Sequence, residues 1–260
     1  MVHNFDPILI DFGILQIRWY SLAYIFGILI GWWYGKILIN KQTDNLDQKK
    51  YTENFDDLIG FIIIGVVVGG RLGYVFFYNP NFYFENFLEI FKLWKGGMSF
   101  HGGLLGVIFS IYIFSKIRNL NFKLYFDTIS CVSPIGILFG RIANFINSEL
   151  YGIPTEKSWG IIFPSVDNVP RHPSQIYEAL LEGIILFLII NFILYKKNLR
   201  HGAVSFVFLI LYGIFRIISE QFRQPDEQVG YLFNYISMGS ILSAIMIILG
   251  ILFLLKSVLN

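Results

Sequence analysis

The chain has 260 residues, of which 55% are hydrophobic, 18% aromatic and only 15% charged, and its mean hydropathy is +0.60. An average soluble domain carries about 25% charged residues, so this composition excludes an ordinary soluble protein and indicates a helical protein that crosses a membrane several times. The net charge of +2 is small, and no basic run or basic patch interleaved with aromatic residues occurs, which argues against a nucleic-acid partner.

The amino-terminal stretch and the cysteine content exclude two further features. The first residues include Asp6 and Asp11 and lack the basic stretch and small-residue cleavage site of a secretory signal, so we expect the first span to insert as an uncleaved anchor. The single cysteine, Cys131, cannot form a disulfide within the chain, and no residues have zinc-ligand spacing. We therefore expect no metal site.

Seven apolar runs are long enough to cross a bilayer, which takes about 20 predominantly apolar residues. The sequence predicts an all-α membrane protein with spans at 17–39, 58–78, 98–117, 127–148, 174–195, 202–221 and 234–255. The longest connections are then 40–57 and 149–173, and no repeat or second domain is visible. We expect a single integral-membrane domain over 1–260, with a small outer head built from about 149–173 and the other outer loops.

Basic residues near the span ends predict the orientation, because Lys and Arg stay preferentially on the cytoplasmic side. One set of loops, with the carboxyl terminus, holds eleven of them: Lys36, Lys41, Lys49, Lys50, Lys116, Arg118, Lys123, Lys196, Lys197, Arg200 and Lys256. The opposite side holds six: Arg18, Lys92, Lys95, Lys157, Arg171 and Arg223. This distribution places the amino terminus outside and the carboxyl terminus inside.

With this orientation, the ionisable residues inside the spans gather toward the outer leaflet. They are Arg71, Arg141, Glu178, Glu182, Arg216 and Glu220. Charged side chains within a bilayer are costly and usually face the bundle interior or a watery cavity. One interpretation is a set of interfacial anchors that extend to the headgroups. The sequence favours a polar cavity open to the outer leaflet, because both signs of charge are present and several lie one to two turns inside their spans.

The fourth span ends in the polar stretch GRIANFINSELYG at 140–152. At 100° per residue, Arg141, Asn144 and Ser148 fall within about 60° of one another on one helix face. An arginine beside neutral amide donors suits a phosphate diester, which needs charge-assisted bonds in more than one direction. The alternative is an interhelical hydrogen-bond seam of structural value only.

The third span opens with a glycine-rich stretch, KGGMSFHGGLLG at 95–106. Glycine permits close backbone approach, and free amides at a helix amino terminus attract anions. His101, between two glycine pairs, is either a base near neutral pH or a structural histidine. GGRLGYVFFY at 69–78 places glycines around Arg71 in the same way, with helix packing through small residues as the alternative.

Together these stretches resemble the phosphatidylglycerol–prolipoprotein diacylglyceryl transferase family of bacterial membrane enzymes. The matching segments are RWYSLAY (18–24), GGRLGYVFFYNP (69–80), GGMSFHGGLLG (96–106), GRIANFINSELYG (140–152), PRHPSQIYEALLEG (170–183) and FRQPDEQ (222–228). They occur in the family's order and span nearly the whole chain. The family also has seven spans with an outward amino terminus.

The resemblance implies a reaction, its partners and its location. A diacylglyceryl group passes from phosphatidylglycerol to the lipobox cysteine in the signal peptide of a preprolipoprotein. A thioether forms and glycerol 1-phosphate leaves, at the periplasmic leaflet of the bacterial inner membrane. No cofactor is implied, because the energy lies in the donor lipid.

The resemblance also assigns site residues by motif position. As catalytic residues it gives His101, the proposed base, with Arg141, Arg223 and Tyr20. As substrate-binding residues it gives Arg141, Asn144, Glu149 and Gly152, to which the glycine-rich stretches add Gly102, Gly103 and Arg71 as candidates. The chain departs from the family pattern at Ser21, where a glycine often follows the tyrosine, and in the segment 149–173, which is shorter than in some members.

Other classes of membrane protein fit the sequence less well. A transporter or channel needs polar residues that reach the midplane, whereas the inner halves of these spans are almost free of charge. A retinal-type receptor needs a lysine in its last span, and 234–255 contains none. Neither a serine with a paired base nor two membrane aspartates mark an intramembrane protease. Another phospholipid-dependent transferase at the outer leaflet remains the nearest alternative.

Overall fold

The computed structural model describes residues 1–13, 16–196, 199–225, 231–232 and 236–259. Within these residues seven helices are long and apolar enough to cross a membrane: Trp19–Gln42, Asp47–Phe77, Phe100–Ile117, Phe122–Ile146, Ser174–Lys196, Ala203–Glu220 and Met238–Ser257. The prediction of a mostly helical chain with seven spans is therefore confirmed by helix length and composition.

The helices that the structure describes are named in chain order. They are α1 (Trp19–Gln42), α2 (Asn45–Phe77), α3 (Pro80–Glu85), α4 (Phe100–Ile117), α5 (Phe122–Ile146), α6 (Ser174–Glu178), α7 (Leu186–Lys196), α8 (Ala203–Glu220) and α9 (Met238–Leu259). Two 3₁₀ turns, Phe87–Phe91 and Leu93–Lys95, precede α4, and a π-helical stretch, Ala179–Ile185, joins α6 to α7. The fifth span is thus one helical rod with a widened turn inside it.

Short antiparallel strand pairs also occur among the described residues, and the all-α prediction did not include them. They are β1 (Ile8–Asp11) with β2 (Gln16–Arg18), β3 (Ile161–Ile162) with β4 (Pro170–Arg171), and β5 (Tyr231–Leu232) with β6 (Ile236–Ser237). Ile8 pairs with Arg18, Ile161 with Arg171 and Tyr231 with Ser237. Strands of two to four residues are too short to show the alternation that predicts a strand from sequence.

Helix α2 begins at Asn45, well before the predicted span start at 58. Its first turns are polar, so a hydropathy profile detects only the later, apolar part of the helix. Surface ion pairs hold the polar part: Lys36 Nζ lies 2.9 Å from Asp56 Oδ1, and Arg118 Nη2 lies 2.9 Å from Asp57 Oδ2. The predicted connection 40–57 is therefore mostly helix.

The chain forms two compact units, one of Met1–Gly35 with Ile129–Asn260 and one of Lys36–Thr128. In the second unit α2 and α4 are in backbone contact at their glycines. A Cβ built on Gly73 would lie 2.7 Å from the Gly102 Cα, and one on Gly69 would lie 2.9 Å from the Gly106 Cα. Only glycine permits this approach, which supports the helix-packing interpretation of the glycines around Arg71.

In the first unit, α5 carries the cysteine into the core. Cys131 is fully buried. Its carbonyl accepts a hydrogen bond of 3.2 Å from Asn191 Nδ2, and Tyr34 donates one of 2.9 Å to Asn191 Oδ1. A shared polar bridge therefore ties α1, α5 and α7 together.

The segment 149–173 folds together with the amino terminus in the first unit. The His3 amide donates to the Ile162 carbonyl and the Ile162 amide to the Met1 carbonyl, both at 2.9 Å, so the first residues add a parallel bridge beside β3. The His3 ring packs against Phe145 and Phe163, and its Nδ1 lies 3.2 Å from Ser148 Oγ. The amino terminus thereby contacts the end of α5.

Candidate active site

A cluster of alternating buried charges lies in the first unit, where α5, the fifth span and α8 meet. Arg141 Nε lies 2.7 Å from Glu178 Oε2, and Arg141 Nη2 lies 3.5 Å from Glu182 Oε2. Arg216 Nη1 lies 3.1 Å from Glu178 Oε1 and 3.6 Å from Glu182 Oε1. Both glutamate side chains are 0% exposed. Each buried carboxylate therefore lies between two guanidinium groups.

The cluster continues toward the end of α8. Arg216 Nη2 lies 2.7 Å from Glu220 Oε2, and Arg223 Nη1 lies 3.8 Å from the same oxygen. We call Arg141, Glu178, Glu182, Arg216, Glu220 and Arg223 the ion cluster. Its three positive and three negative formal charges balance. Burying them together therefore costs less free energy than burying isolated charges.

Arg141 keeps hydrogen-bonding capacity that the cluster does not use. Its Nε and Nη2 face the two glutamates, whereas Nη1 donates no hydrogen bond to any described residue, and the side chain remains 14% exposed. A guanidinium with a free edge beside a buried carboxylate pair is held rigidly and can still contact an anion from the open side.

A widened helical turn brings Glu182 to this position. Glu182 lies in the π-helical stretch Ala179–Ile185, a type of distortion frequent at functional sites. A Cβ built on Gly183 would lie 2.9 Å from the Leu138 Cβ, so glycine allows this turn to lie directly against α5. The Ser219 hydroxyl of α8 donates to Glu182 Oε1 at 3.1 Å. The glutamate is therefore fixed from three sides.

The polar side chains at the end of α5 form hydrogen bonds to Glu149, which lies just beyond the helix. Asn144 is buried, and its Nδ2 donates to Glu149 Oε2 at 3.1 Å, while Asn147 Nδ2 donates to Glu149 Oε1 at 3.4 Å. Gln175 Nε2 donates to the Glu149 backbone carbonyl at 2.6 Å. Glu149 is therefore held at the helix end by two asparagines and by the start of the fifth span.

Gly152 lies where three chain segments cross without room for a side chain. Its amide donates to the His172 carbonyl at 3.0 Å, and it forms an isolated antiparallel bridge with Arg223. A Cβ built on Gly152 would lie 2.6 Å from the Phe222 carbonyl oxygen. The glycine therefore fixes the backbone at Arg223, whose side chain reaches Glu220 of the ion cluster.

The segment that leads into α6 carries a second, smaller polar network. Arg171 Nη2 lies 2.5 Å from Asp167 Oδ2, and this hydrogen bond holds the pKa of the Asp167 carboxyl below its ordinary value. Tyr177 OH accepts from Trp159 Nε1 at 2.9 Å and lies 3.1 Å from His172 Nδ1. Burial, with a smaller effect of Lys157, lowers the pKa of His172.

An open apolar groove of about 420 Å³ adjoins this network. It is lined by Trp159, His172, Tyr177, Leu180, Leu181, Ile185 and Phe222.

Tyr20 lies in the first turn of α1 and is half-buried. Its hydroxyl is 3.5 Å from that of Tyr24, and the two ring centroids are 5.2 Å apart. Tyr20 therefore belongs to the first unit as part of a tyrosine pair.

His101 lies in the second unit, in the first turn of α4, and is half-buried. Ser99 caps this helix, because its Oγ accepts from the Gly102 amide at 3.2 Å and its carbonyl accepts from the Gly103 amide at 2.9 Å. Gly102 and Gly103 are buried, and a Cβ on Gly102 would lie 2.8 Å from the Gly73 Cα. Both amides that were candidates for anion contact are engaged in the cap.

Arg71, also in the second unit, is 3% exposed. Its guanidinium donates only to backbone carbonyls of the segment 89–97, among the described residues.

The ion cluster includes residues that the sequence analysis noted in the spans without giving them a role. These are Glu178, Glu182, Arg216 and Glu220. A signal was present, since Glu178 and Glu182, like Arg216 and Glu220, are four residues apart and share a helix face. The spacing could not show which helices contact one another. Within the described part of the chain, no group of three or more His, Cys, Asp or Glu side chains is arranged to hold a metal ion.

The seven membrane-length helices among the described residues define a multi-pass membrane protein, and the buried, charge-balanced ion cluster lies near the ends of three of them. Residues 7–256 match the family model of the prolipoprotein diacylglyceryl transferases. The chain therefore belongs to this family, as the sequence motifs indicated, and it is a prolipoprotein diacylglyceryl transferase enzyme of lipoprotein biosynthesis.

Close relatives support the assignment over nearly the full length. The chain is 48% identical over 256 residues to the phosphatidylglycerol–prolipoprotein diacylglyceryl transferase of Rickettsia bellii, covering 98% of this chain and 96% of that protein. It is 49% identical over 249 residues to the proteins of the same name from Rickettsia felis and Rickettsia typhi, covering 95% of each chain.

Proposed function

We propose that the chain transfers the sn-1,2-diacylglyceryl group of phosphatidylglycerol to the lipobox cysteine of a preprolipoprotein signal peptide. The relatives' names give phosphatidylglycerol and prolipoprotein as their substrates. The observation that carries the proposal for this chain is the ion cluster, in which Arg141 keeps an unused donor edge next to two buried glutamates.

The reaction requires a thiolate, a stabilised leaving group and no enzyme nucleophile. The substrate thiol is mostly protonated at neutral pH, so a proton acceptor is needed. The thiolate sulfur bonds to the glyceryl carbon as the bond from that carbon to the phosphate oxygen breaks. The thiol proton passes to the acceptor, and glycerol 1-phosphate departs with an additional negative charge.

Each predicted site residue has a proposed part in these steps. His101 accepts the thiol proton, with help from Tyr20. Arg141 and Arg223 stabilise the charge on the departing phosphate, which is the kind of preorganised electrostatic contribution that dominates many enzymes. Asn144 orients the phosphate.

The support for these roles differs among the residues. Glu149 holds the Asn144 amide through a 3.1 Å hydrogen bond, and Gly152 fixes the backbone at Arg223. The Gly102 and Gly103 amides both donate to Ser99, so the proposed contribution of Gly102 to binding is to let α4 approach α2, while a role for Gly103 in binding stays a prediction. Substrate contact by Arg71 stays a prediction.

We also propose that the protein lies in the bacterial inner membrane as a single integral-membrane domain. The amino terminus and the 149–173 head would face the periplasm and the carboxyl terminus the cytoplasm, with transfer at the periplasmic leaflet. The distribution of basic residues supports this orientation. No nucleic acid takes part.

A labelling experiment tests the orientation. Cys131 is the only cysteine, so a Cys131→Ser background is free of thiols. In that background we expect Glu156→Cys to react with a membrane-impermeant maleimide in cells whose inner membrane is intact, and Lys49→Cys to react only after that membrane is opened. Both residues are exposed. The reverse pattern would contradict the proposed orientation.

An adduct assay tests the reaction itself. Purified protein is incubated with phosphatidylglycerol and a lipobox peptide, and the peptide is weighed by mass spectrometry. We expect a diacylglyceryl adduct that forms with phosphatidylglycerol and is absent when the peptide cysteine is replaced by serine. No adduct with folded protein would contradict the proposal, and an adduct formed from a different phospholipid donor alone would favour another transferase.

A further inference from the structure

We propose that Arg71 is a positioning residue that holds the segment 86–97 in one fold and thereby fixes the start of α4, where His101 lies. The inference rests on the proposed role of His101. It is an alternative to the sequence-based prediction that Arg71 contacts the substrate.

The guanidinium of Arg71 has its five donors occupied by the backbone of one segment. Nε donates to the Ile90 carbonyl at 2.8 Å. Nη1 donates to the carbonyls of Gly96 and Gly97, at 2.5 and 3.2 Å. Nη2 donates to those of Glu89 and Lys92, at 2.6 and 3.3 Å. Arginine has five N–H donors in a rigid fork, so a lipid phosphate could bind here only by displacing part of the chain.

The segment is shaped around this side chain. The 3₁₀ turns Phe87–Phe91 and Leu93–Lys95 are followed by Gly96 and Gly97, whose φ angles of +77° and +80° favour glycine. A Cβ built on Gly97 would lie 2.7 Å from the Tyr74 ring and 3.0 Å from Arg71 Nη1. Five carbonyls of the segment 89–97 thus converge on one cation.

Carbonyl dipoles and one aromatic ring take the place of a counterion. Among the described residues no carboxylate forms an ion pair with Arg71. The nearest acidic side chain in its segment, Glu89, is paired with Lys92 at 2.6 Å and Lys95 at 2.7 Å. The Tyr83 ring centroid lies 5.1 Å from the Arg71 Cζ, within cation–π range.

The same part of α2 also holds the first residues of α4. The Ser99 amide donates to the Gly70 carbonyl at 2.8 Å, and Ser99 caps α4. Gly102 lies against Gly73, which is two residues after Arg71. The chain is therefore fixed by α2 just before His101, at Ser99, and just after it, at Gly102. A shift of a catalytic group by about 1 Å is expected to cost about 10²-fold in rate. Loss of the Arg71 contacts should therefore displace His101 and lower the rate of transfer.

The test compares Arg71→Lys, Arg71→Ala and Gly96→Ala with Lys95→Ala as the matched control. Hydrogen exchange of residues 86–99 and the kcat and KM for phosphatidylglycerol are measured on full-length protein in lipid nanodiscs. We expect faster exchange in this segment, a kcat lower by up to about 10²-fold and a KM changed less than about twofold. Arg71→Lys should not restore wild-type kcat or exchange, because one ammonium cannot reproduce five directed hydrogen bonds.

Gly96→Ala is the decisive variant, since Gly96 has a φ of +77° and a Cβ there would meet nothing within 4 Å, so the change strains the segment without contacting the arginine side chain. Under the proposal it resembles Arg71→Ala in both exchange and kcat, whereas a direct phosphate contact predicts near-normal kinetics for it. The proposal is overturned if Arg71→Ala raises KM while kcat and exchange stay as in wild type, or if exchange is unchanged in both variants. His101→Gln separates the two hypotheses: if it retains turnover, the proton-acceptor role fails, while the exchange result still decides the role of Arg71.

Discussion

Removal of Arg141 should abolish transfer for two separable reasons. Arg141→Ala deletes the guanidinium proposed to face the lipid phosphate, and losing one preorganised donor to a developing anion costs about 10²- to 10³-fold in kcat. It also leaves Glu178 and Glu182, both 0% exposed, with Arg216 as their remaining close cation. Breaking a buried ion pair from one side costs about 3–5 kcal/mol of stability, so this variant should also be markedly less stable.

A double variant separates these two effects. In Arg141→Ala/Glu178→Gln the acid that lost its 2.7 Å partner is neutralised. We expect the thermal midpoint in detergent to return most of the way toward wild type, because the uncompensated buried charge is gone. Transfer should stay low, because the phosphate contact is still missing.

The assay is the initial rate of diacylglyceryl adduct formation on a lipobox peptide, with the thermal midpoint measured on the same preparations. Wild-type turnover in Arg141→Ala would refute the phosphate role. Recovery of both stability and turnover in the double variant would also refute it, since the arginine would then serve only to neutralise Glu178.

Three further predictions concern other parts of the first unit. Gly152→Ala should lower kcat, because a Cβ there would lie 2.6 Å from the Phe222 carbonyl oxygen and would shift the backbone at Arg223; an unchanged kcat would show that this crossing tolerates a side chain. Burial lowers the pKa of His3 below its ordinary 6.5, so its contribution to docking the amino terminus is complete above pH 6.5 and is lost as the pH falls through the lowered value. The protection factor of the Ile162 amide, which corrects for the slower intrinsic exchange at acid pH, should therefore fall there, and His3→Gln should remove that step. Cys131→Ser should leave adduct formation nearly unchanged, and loss of activity there would mean that the site reaches deeper along α5 than proposed.

The spans could be predicted from sequence because each is a long apolar run, and the fifth span was located to within a residue or two even though it contains a π-helical turn. The start of α2 could not, because residues 45–57 are polar and their helix is stabilised by ion pairs such as Lys36 with Asp56 and Arg118 with Asp57. Hydropathy detects segments that are apolar enough to cross a bilayer. It misses this part of the helix, because ion pairs and not apolar burial stabilise it.

The site shows the same limit more sharply. Arg71 and Arg141 look alike in the sequence, each a single arginine after a glycine inside a span. In the structure Arg71 is enclosed by carbonyls 18 to 26 residues away, whereas Arg141 faces carboxylates on another helix, the farther one 41 residues along the chain. The motif positions identified both arginines as important, but only the long-range contacts distinguish a side chain that organises a loop from one with a free donor edge.

The central claim is that the ion cluster holds a lipid phosphate through Arg141, and lipid retention measures it most directly. Wild-type protein and the Arg141→Ala/Glu178→Gln variant are incubated with phosphatidylglycerol in the absence of peptide and examined by native mass spectrometry, with diacylglycerol as the competitor that lacks a phosphate. We predict that the wild type retains phosphatidylglycerol in preference to diacylglycerol and that the folded double variant loses this preference. Equal preference in the two proteins would contradict the claim.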